Sequence, residues 1–146
     1  MNISIRTATK ADVPQLLELY KELQQSDQPV EIDKAIAVLE KAENNDVTYF
    51  VADDNGRIAA TCYIAIIPNI TRQCASIGFI ENVVTAVNYR RMGIGKKLFE
   101  KVIEYAKNRG CYKVTLSSGI KRSEAHDFYE ALGFDGDSKK TYEMRF

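Results

Sequence analysis

Apolar residues recur along this chain with two periods, and the changes from one to the other divide it into elements. Ile3–Thr7 alternates apolar and polar side chains, the period of a half-buried strand. Val13, Leu16, Leu17, Tyr20 and Leu23 then return every three or four residues. That spacing predicts a helix opened by the capping pair Thr9 and Asp12 and broken at Ser26-Asp27-Gln28-Pro29. Ile32, Ile36 and Leu39 mark a second, weaker helix over about 33–42. Residues 48–52 read as a short strand, Asp54-Asn55-Gly56 as a hairpin turn, and Arg57–Ile67 as the return strand, stopped by Pro68. Ser76–Thr85 is the next strand. Ile94, Leu98, Val102 and Ala106, widened by Phe99 and Ile103, give a helix over 93–108 with Gly110 as its stop. A strand at 114–117, a helix at 123–132 closed by Gly133, and a last strand at 140–146 complete the pattern.

The order is therefore β-α-α-β-β-β-α-β-α-β. A helix joining two consecutive strands implies a parallel pair, and the hairpins before it imply an antiparallel sheet, so the class is mixed α/β. With no repeat, linker or low-complexity stretch, residues 1–146 are expected to form one domain.

Composition narrows the partners. The 20 basic and 20 acidic residues cancel, which argues against a general affinity for nucleic acid or acidic membranes. Cys62, Cys74 and Cys111 are odd in number and fit no metal spacing, as reduced cysteines of a cytoplasmic protein would be. The start lacks a signal-peptide apolar core, and the longest apolar run, 58–68, is too short to cross a membrane.

Against this neutral background the segment Asn88-Tyr89-Arg90-Arg91-Met92-Gly93-Ile94-Gly95-Lys96-Lys97 stands out. It joins an apolar strand to a helix start, where backbone amides lack intrahelical partners and lie at the positive end of the helix dipole. Gly93 and Gly95 let an anion approach those amides, and Arg90, Arg91, Lys96 and Lys97 add charge, which predicts a diphosphate site. The spacing fits neither a P-loop nor a Rossmann fingerprint, since Leu98 stands where the latter needs its third glycine. Arg90-x-x-Gly93-x-Gly95 resembles instead the pyrophosphate loop of the GCN5-related N-acetyltransferase (GNAT) superfamily. A second motif agrees: Ala125-His126-Asp127-Phe128-Tyr129-Glu130-Ala131-Leu132-Gly133-Phe134 is similar to a pattern near the C-terminus of the same superfamily.

The resemblance covers about 76–134, and it implies a GNAT fold: a mixed, mostly antiparallel sheet whose fourth and fifth strands form a splayed parallel pair, flanked by about four helices. It also implies acetyl-CoA as co-substrate, with no metal. Val83, Val84 and Thr85 would offer backbone groups to pantetheine, and Arg90, Arg91, Met92, Gly93, Ile94, Gly95 and Lys96 would hold the pyrophosphate. Tyr129 would protonate the departing thiolate. Glu81 lies within the otherwise apolar run Ile80-Glu81-Asn82-Val83-Val84, where an acid is costly unless paired, hydrated or functional. By resemblance it is the base that deprotonates the attacking amine, its alternatives being a solvated edge charge or an ion-pair partner. His126 is either structural or a second base. Lys121 and Arg122 are candidates for the CoA 3′-phosphate. Arg122 replaces an asparagine common in the superfamily, and the string around it is similar to aminoalkylphosphonate acetyltransferases. Ile80-Glu81 and Cys111-Tyr112-Lys113 are similar to glucosamine-phosphate acetyltransferases. The expected activity is acetyl transfer to a primary amine of a small molecule in a ternary complex, with a homodimer as the family habit. The alternatives are a protein N-terminus or lysine as acceptor, and a non-catalytic acetyl-CoA-binding module.

Overall fold

The computed structural model describes all residues, Met1–Phe146. Its contacts divide into two compact units, Met1–Thr115 and Leu116–Phe146, each described by itself below.

The first unit carries a five-stranded sheet in the order β1-β2-β3-β4-β5, with β1 Ile3–Thr7, β2 Val47–Asp54, β3 Arg57–Ile67, β4 Ser76–Thr85 and β5 Cys111–Leu116, the last residue of β5 opening the second unit. The first four strands pair antiparallel. β5 runs parallel to β4, and Ser76 donates its amide to the Gly110 carbonyl at 3.1 Å, which aligns the starts of the two strands. β5 begins three residues before the expected strand, because the left-handed turn at Gly110 (φ 78°) releases the chain directly into the sheet.

Helices cover both faces. α1 (Val13–Leu23) follows a 3-10 turn, Lys10–Asp12, whose Thr9/Asp12 capping box is formed as the sequence indicates. α1 and α2 (Ile32–Glu43) lie on one face, where Leu16, Leu19, Val51, Ile58 and Val84 make a buried cluster. α4 (Ile94–Asn108) buries Ile94, Leu98, Phe99, Val102 and Ala106, and Tyr105 meets Phe50 of β2 edge-on at 5.3 Å. Between β3 and β4 a single turn, α3 (Thr71–Cys74), holds Arg72, Gln73 and Cys74 at φ of 54°, 57° and 62°. No helix is long and apolar enough to cross a membrane.

The second unit contains α5 (Ser123–Ala131). The expected strand at 140–146 is not formed. Tyr142, Met144 and Phe146 do alternate, but they are exposed and the segment pairs with no strand, so its backbone gains none of the ladder bonds that would hold it extended in a sheet.

Candidate active site

β4 is the strand on which the candidate site is built. Its pairing with β3 steps by one residue: Tyr63 lies opposite Glu81, yet Thr61 lies opposite Val84. Asn82 absorbs the extra residue at φ 52°, a left-handed conformation that asparagine enters more readily than other side-chain-bearing residues. The bulge puts Glu81 and Val84, three residues apart, on one side of the sheet, where regular alternation would separate them. Val84 accordingly joins the cluster under α1, together with the partly buried Tyr20 and Tyr49.

Glu81 is half-buried and no ion pair neutralises it. Its cross-strand neighbour Tyr63 has a hydroxyl pKa raised first by burial and then by the negative charge of Glu81. Tyr63 stacks in turn on Tyr49, with ring centroids 5.0 Å apart at 43°. A straight hairpin from the Asp54–Arg57 pair would set Tyr49 opposite Cys62. A one-residue offset next to Ala52 and Asp53 shifts the partner to Tyr63, so a second bulge creates the tyrosine pair. Tyr49, Tyr63 and Glu81 thus form a cross-strand row, two aromatic rings leading to a carboxylate. The sequence singles out Glu81 but neither tyrosine, because neither bulge has a marker as plain as glycine.

β4 then delivers the chain to the glycine loop. Arg91 and Gly93 both have positive φ, 61° and 75°, and Gly93 is the N-cap of α4 without any side-chain cap. The first helical bond runs from the Lys97 amide to the Gly93 carbonyl at 3.1 Å. The amides of Ile94, Gly95 and Lys96 therefore have no intrahelical acceptor. The first turn carries no acid but does carry Lys96 and Lys97, the reverse of what the helix dipole favours. Such an end is unfavourable alone and favourable around an anion. Arg91, Met92, Gly93 and Lys96 are exposed and Gly95 half-exposed; Ile94 is buried and takes part only through its backbone.

Arg90 plays a different local part from its neighbours. Its Nε donates to the Thr85 carbonyl at 3.1 Å, and its guanidinium lies 3.6 Å from the Glu22 carboxylate, which also accepts from the Val87 amide at 3.1 Å. Arg90 braces the loop against α1, a use that its place in the motif does not reveal. Lys96 lies 3.8 Å from Glu100, a loose exposed pair that leaves the ammonium able to turn. Val83 and Thr85 are half-buried, and Thr85 pairs with Ala60.

Tyr129 belongs to the second unit. It is 9 % exposed on α5 and meets Phe128 at 5.3 Å and Phe134 at 6.0 Å, both edge-on. Gly133 (φ 96°) ends this helix: its amide donates to Glu130 and that of Phe134 to Tyr129, both at 3.0 Å. This is a Schellman stop, and it folds Phe134 back onto Tyr129. The Gly-Phe of the second motif is thereby explained as the device that packs Tyr129. His126 donates Nε2–H to the Gly119 carbonyl at 2.7 Å, which fixes the loop before α5. Cys62 is buried and its thiol pKa is pushed up to about 12, so it is a poor nucleophile.

Residues 13–134 match the family model described as the acetyltransferase (GNAT) family. The chain is 32% identical over 135 residues to a glucosamine 6-phosphate N-acetyltransferase of Trypanosoma brucei brucei, covering 92% of this chain and 90% of that protein. A protein of the same name from Arabidopsis thaliana is 35% identical over 86 residues, spanning 59% of this chain and 56% of its own length. Among solved structures, a protein of Agrobacterium tumefaciens str. C58 described as a candidate acetyltransferase superposes with a TM-score of 0.92 at 39% identity, over 98% of this chain and 99% of that one. A strand that opens into an uncapped, cationic glycine loop and helix is thus found in a chain whose sequence and backbone both match these transferases: the protein belongs to the acetyltransferase (GNAT) family and is an N-acetyltransferase.

Proposed function

We propose that this protein transfers the acetyl group of acetyl-CoA to a primary amine of a small molecule, by direct attack in a ternary complex. The observation that carries the reading is the double use of β4, which holds at Glu81 a carboxylate with no ion pair and ends at Thr85, from where a 3-10 turn, Val87–Tyr89, leads into the cationic glycine loop. The free amides of Ile94, Gly95 and Lys96, with Arg91 and Lys97, suit a pyrophosphate. Backbone groups of Val83, Val84 and Thr85 lie between loop and carboxylate, where a pantetheine arm would run. The amine nitrogen attacks the thioester carbon, the carbon–sulfur bond breaks, and the amine proton passes to Glu81, directly or through water. Tyr129 supplies the proton to the departing thiolate.

Glu81 matters because an amine with a pKa near 10.4 is almost wholly protonated at neutral pH, a penalty of about 4.6 kcal/mol at pH 7. Glu81→Gln is expected to lower kcat/KM for the amine by about 10²–10³ at pH 7, with the deficit shrinking as pH rises toward the amine's own pKa. Steady-state thiol release between pH 6.5 and 9.5 measures both. A mutant that keeps wild-type kcat/KM at pH 7 removes Glu81 as base, and an absence of thiol release with every amine tried, despite acetyl-CoA binding, removes the small-molecule reading.

A further inference from the structure

A cavity of about 150 Å³ lies between α1, α2 and β2, and Tyr49 of the tyrosine row is part of its lining. Leu17 and Tyr20 of α1, Val30 of the connecting segment, Val38 and Leu39 of α2, and Tyr49 of β2 line it, and no lysine, arginine or histidine does. An apolar cavity of this size takes a benzene-sized group. The Tyr20 hydroxyl is buried without a hydrogen-bond partner. The Thr61 hydroxyl beside it donates its own proton to the Phe50 carbonyl at 2.8 Å and is left with acceptor capacity toward Tyr20.

Tyr49 belongs both to this cavity and to the row that ends at Glu81. Two strand spacings, about 10 Å, separate Tyr49 from Glu81 along the row. A bound molecule that fills the cavity and reaches Glu81 therefore needs an apolar body and an arm, with its ammonium passing over the face of Tyr63 to the carboxylate. Tyrosine faces and a carboxylate attract a cation. A sugar phosphate would meet the opposite: no guanidinium or ammonium in the lining to hold its anion, and a like charge at Glu81.

We infer that the acceptor is a primary amine carried on an arm from an apolar, ring-sized body, seated in the α1–α2–β2 cavity, and that anionic amino-sugar phosphates are poor acceptors. This rests on the transferase reading of Glu81, and it separates this chain from the activity named for its Trypanosoma and Arabidopsis relatives.

Calorimetric titration of the full-length protein with phenylbutylamine, in the presence of CoA, tests the cavity without any turnover. Saturable binding is expected, weakened about tenfold or more by Ala35→Trp, which fills the cavity, and by Val38→Lys, which sets a charge of the ligand's own sign at an exposed edge of it. An unchanged KM for acetyl-CoA shows that each variant is folded. No saturable binding, or binding undiminished in both variants, overturns the inference. Thiol release then compares phenylbutylamine with glucosamine 6-phosphate, with kcat/KM expected to favour the former by about tenfold or more. Preference for the sugar phosphate overturns the acceptor class and leaves the transferase reading intact. Phenylbutylamine binding without thiol release from any amine supports the cavity and overturns the transferase reading of Glu81.

Discussion

A methyl group added at position 95 would act on the helix and on the ligand with opposite signs. Gly95 is the second residue of α4 and has ordinary helical φ, unlike Gly93 at φ 75°. Gly95→Ala should therefore raise stability by about 0.5–1 kcal/mol, as alanine does in a helix. The same methyl would crowd the amides proposed to hold the pyrophosphate, so KM for acetyl-CoA should rise about tenfold with the melting temperature unchanged or higher. A lower melting temperature, or an unchanged KM, would separate Gly95 from the anion site. At Gln73 only the backbone matters. Three successive non-glycine residues of α3 sit in the left-handed region, each costing on the order of 1 kcal/mol. Gln73→Gly should stabilise by about 0.5–1 kcal/mol in urea unfolding, even after the added freedom of the unfolded chain is counted.

Between elements, Arg6 is the principal charged tie. Its guanidinium bonds both oxygens of Asp12, at 2.7 and 2.8 Å, and reaches Asp53 at 2.9 Å, joining β1 to the start of α1 and to β2. Asp12 is 5 % exposed, and it also accepts from the Thr9 amide at 2.7 Å. Arg6→Met would leave that carboxylate buried with only its cap. The expected cost is about 2–3 kcal/mol, below that of a fully buried pair because the Arg6 side chain is about one-third exposed. Hydrogen bonding to Arg6 chiefly holds the Asp12 pKa below the ordinary value, against the opposing effect of burial. A depressed carboxylate pKa contributes stability that is present above the unfolded-state value, near 3.9, and is lost as pH falls through the folded-state value. Urea midpoints of wild type and Asp12→Asn should thus differ at pH 7 and 5 and start to draw together only as pH falls below about 4. A constant difference down to pH 3 would exclude Asp12 as the titrating group.

Across the whole molecule, alternation, turn residues and stops carried most of the fold. Arg57–Ile67 lies between Asn55-Gly56 and Pro68, and its bounds were legible for that reason; so was the uncapped, cationic start of α4. What escaped reading depends on partners. The tail at 140–146 alternates like a strand, but a strand needs a neighbour, and alternation says nothing about one. Glu81 could be singled out because an acid in an apolar strand breaks a local rule. Tyr20, Tyr49 and Tyr63 break none, since tyrosines are common in helices and strands. Only two one-residue offsets and the packing of α1 bring them into a row. The glycine loop is local in sequence and legible there, whereas the proposed acceptor side draws on five elements, α1, α2, β2, β3 and β4.

The offset at Asn82 also bears on how such a chain can change over evolutionary time. Glu81 and everything before it keep one alternation phase, and Val84 and the loop beyond keep another. A one-residue insertion or deletion absorbed at the bulge would re-aim the side chains on one side of it and leave those on the other in phase. A single kinked asparagine thus works as a joint between the part of β4 that carries Glu81 and the part that leads into the glycine loop, and under the proposed function it separates the acceptor end of the strand from the donor end.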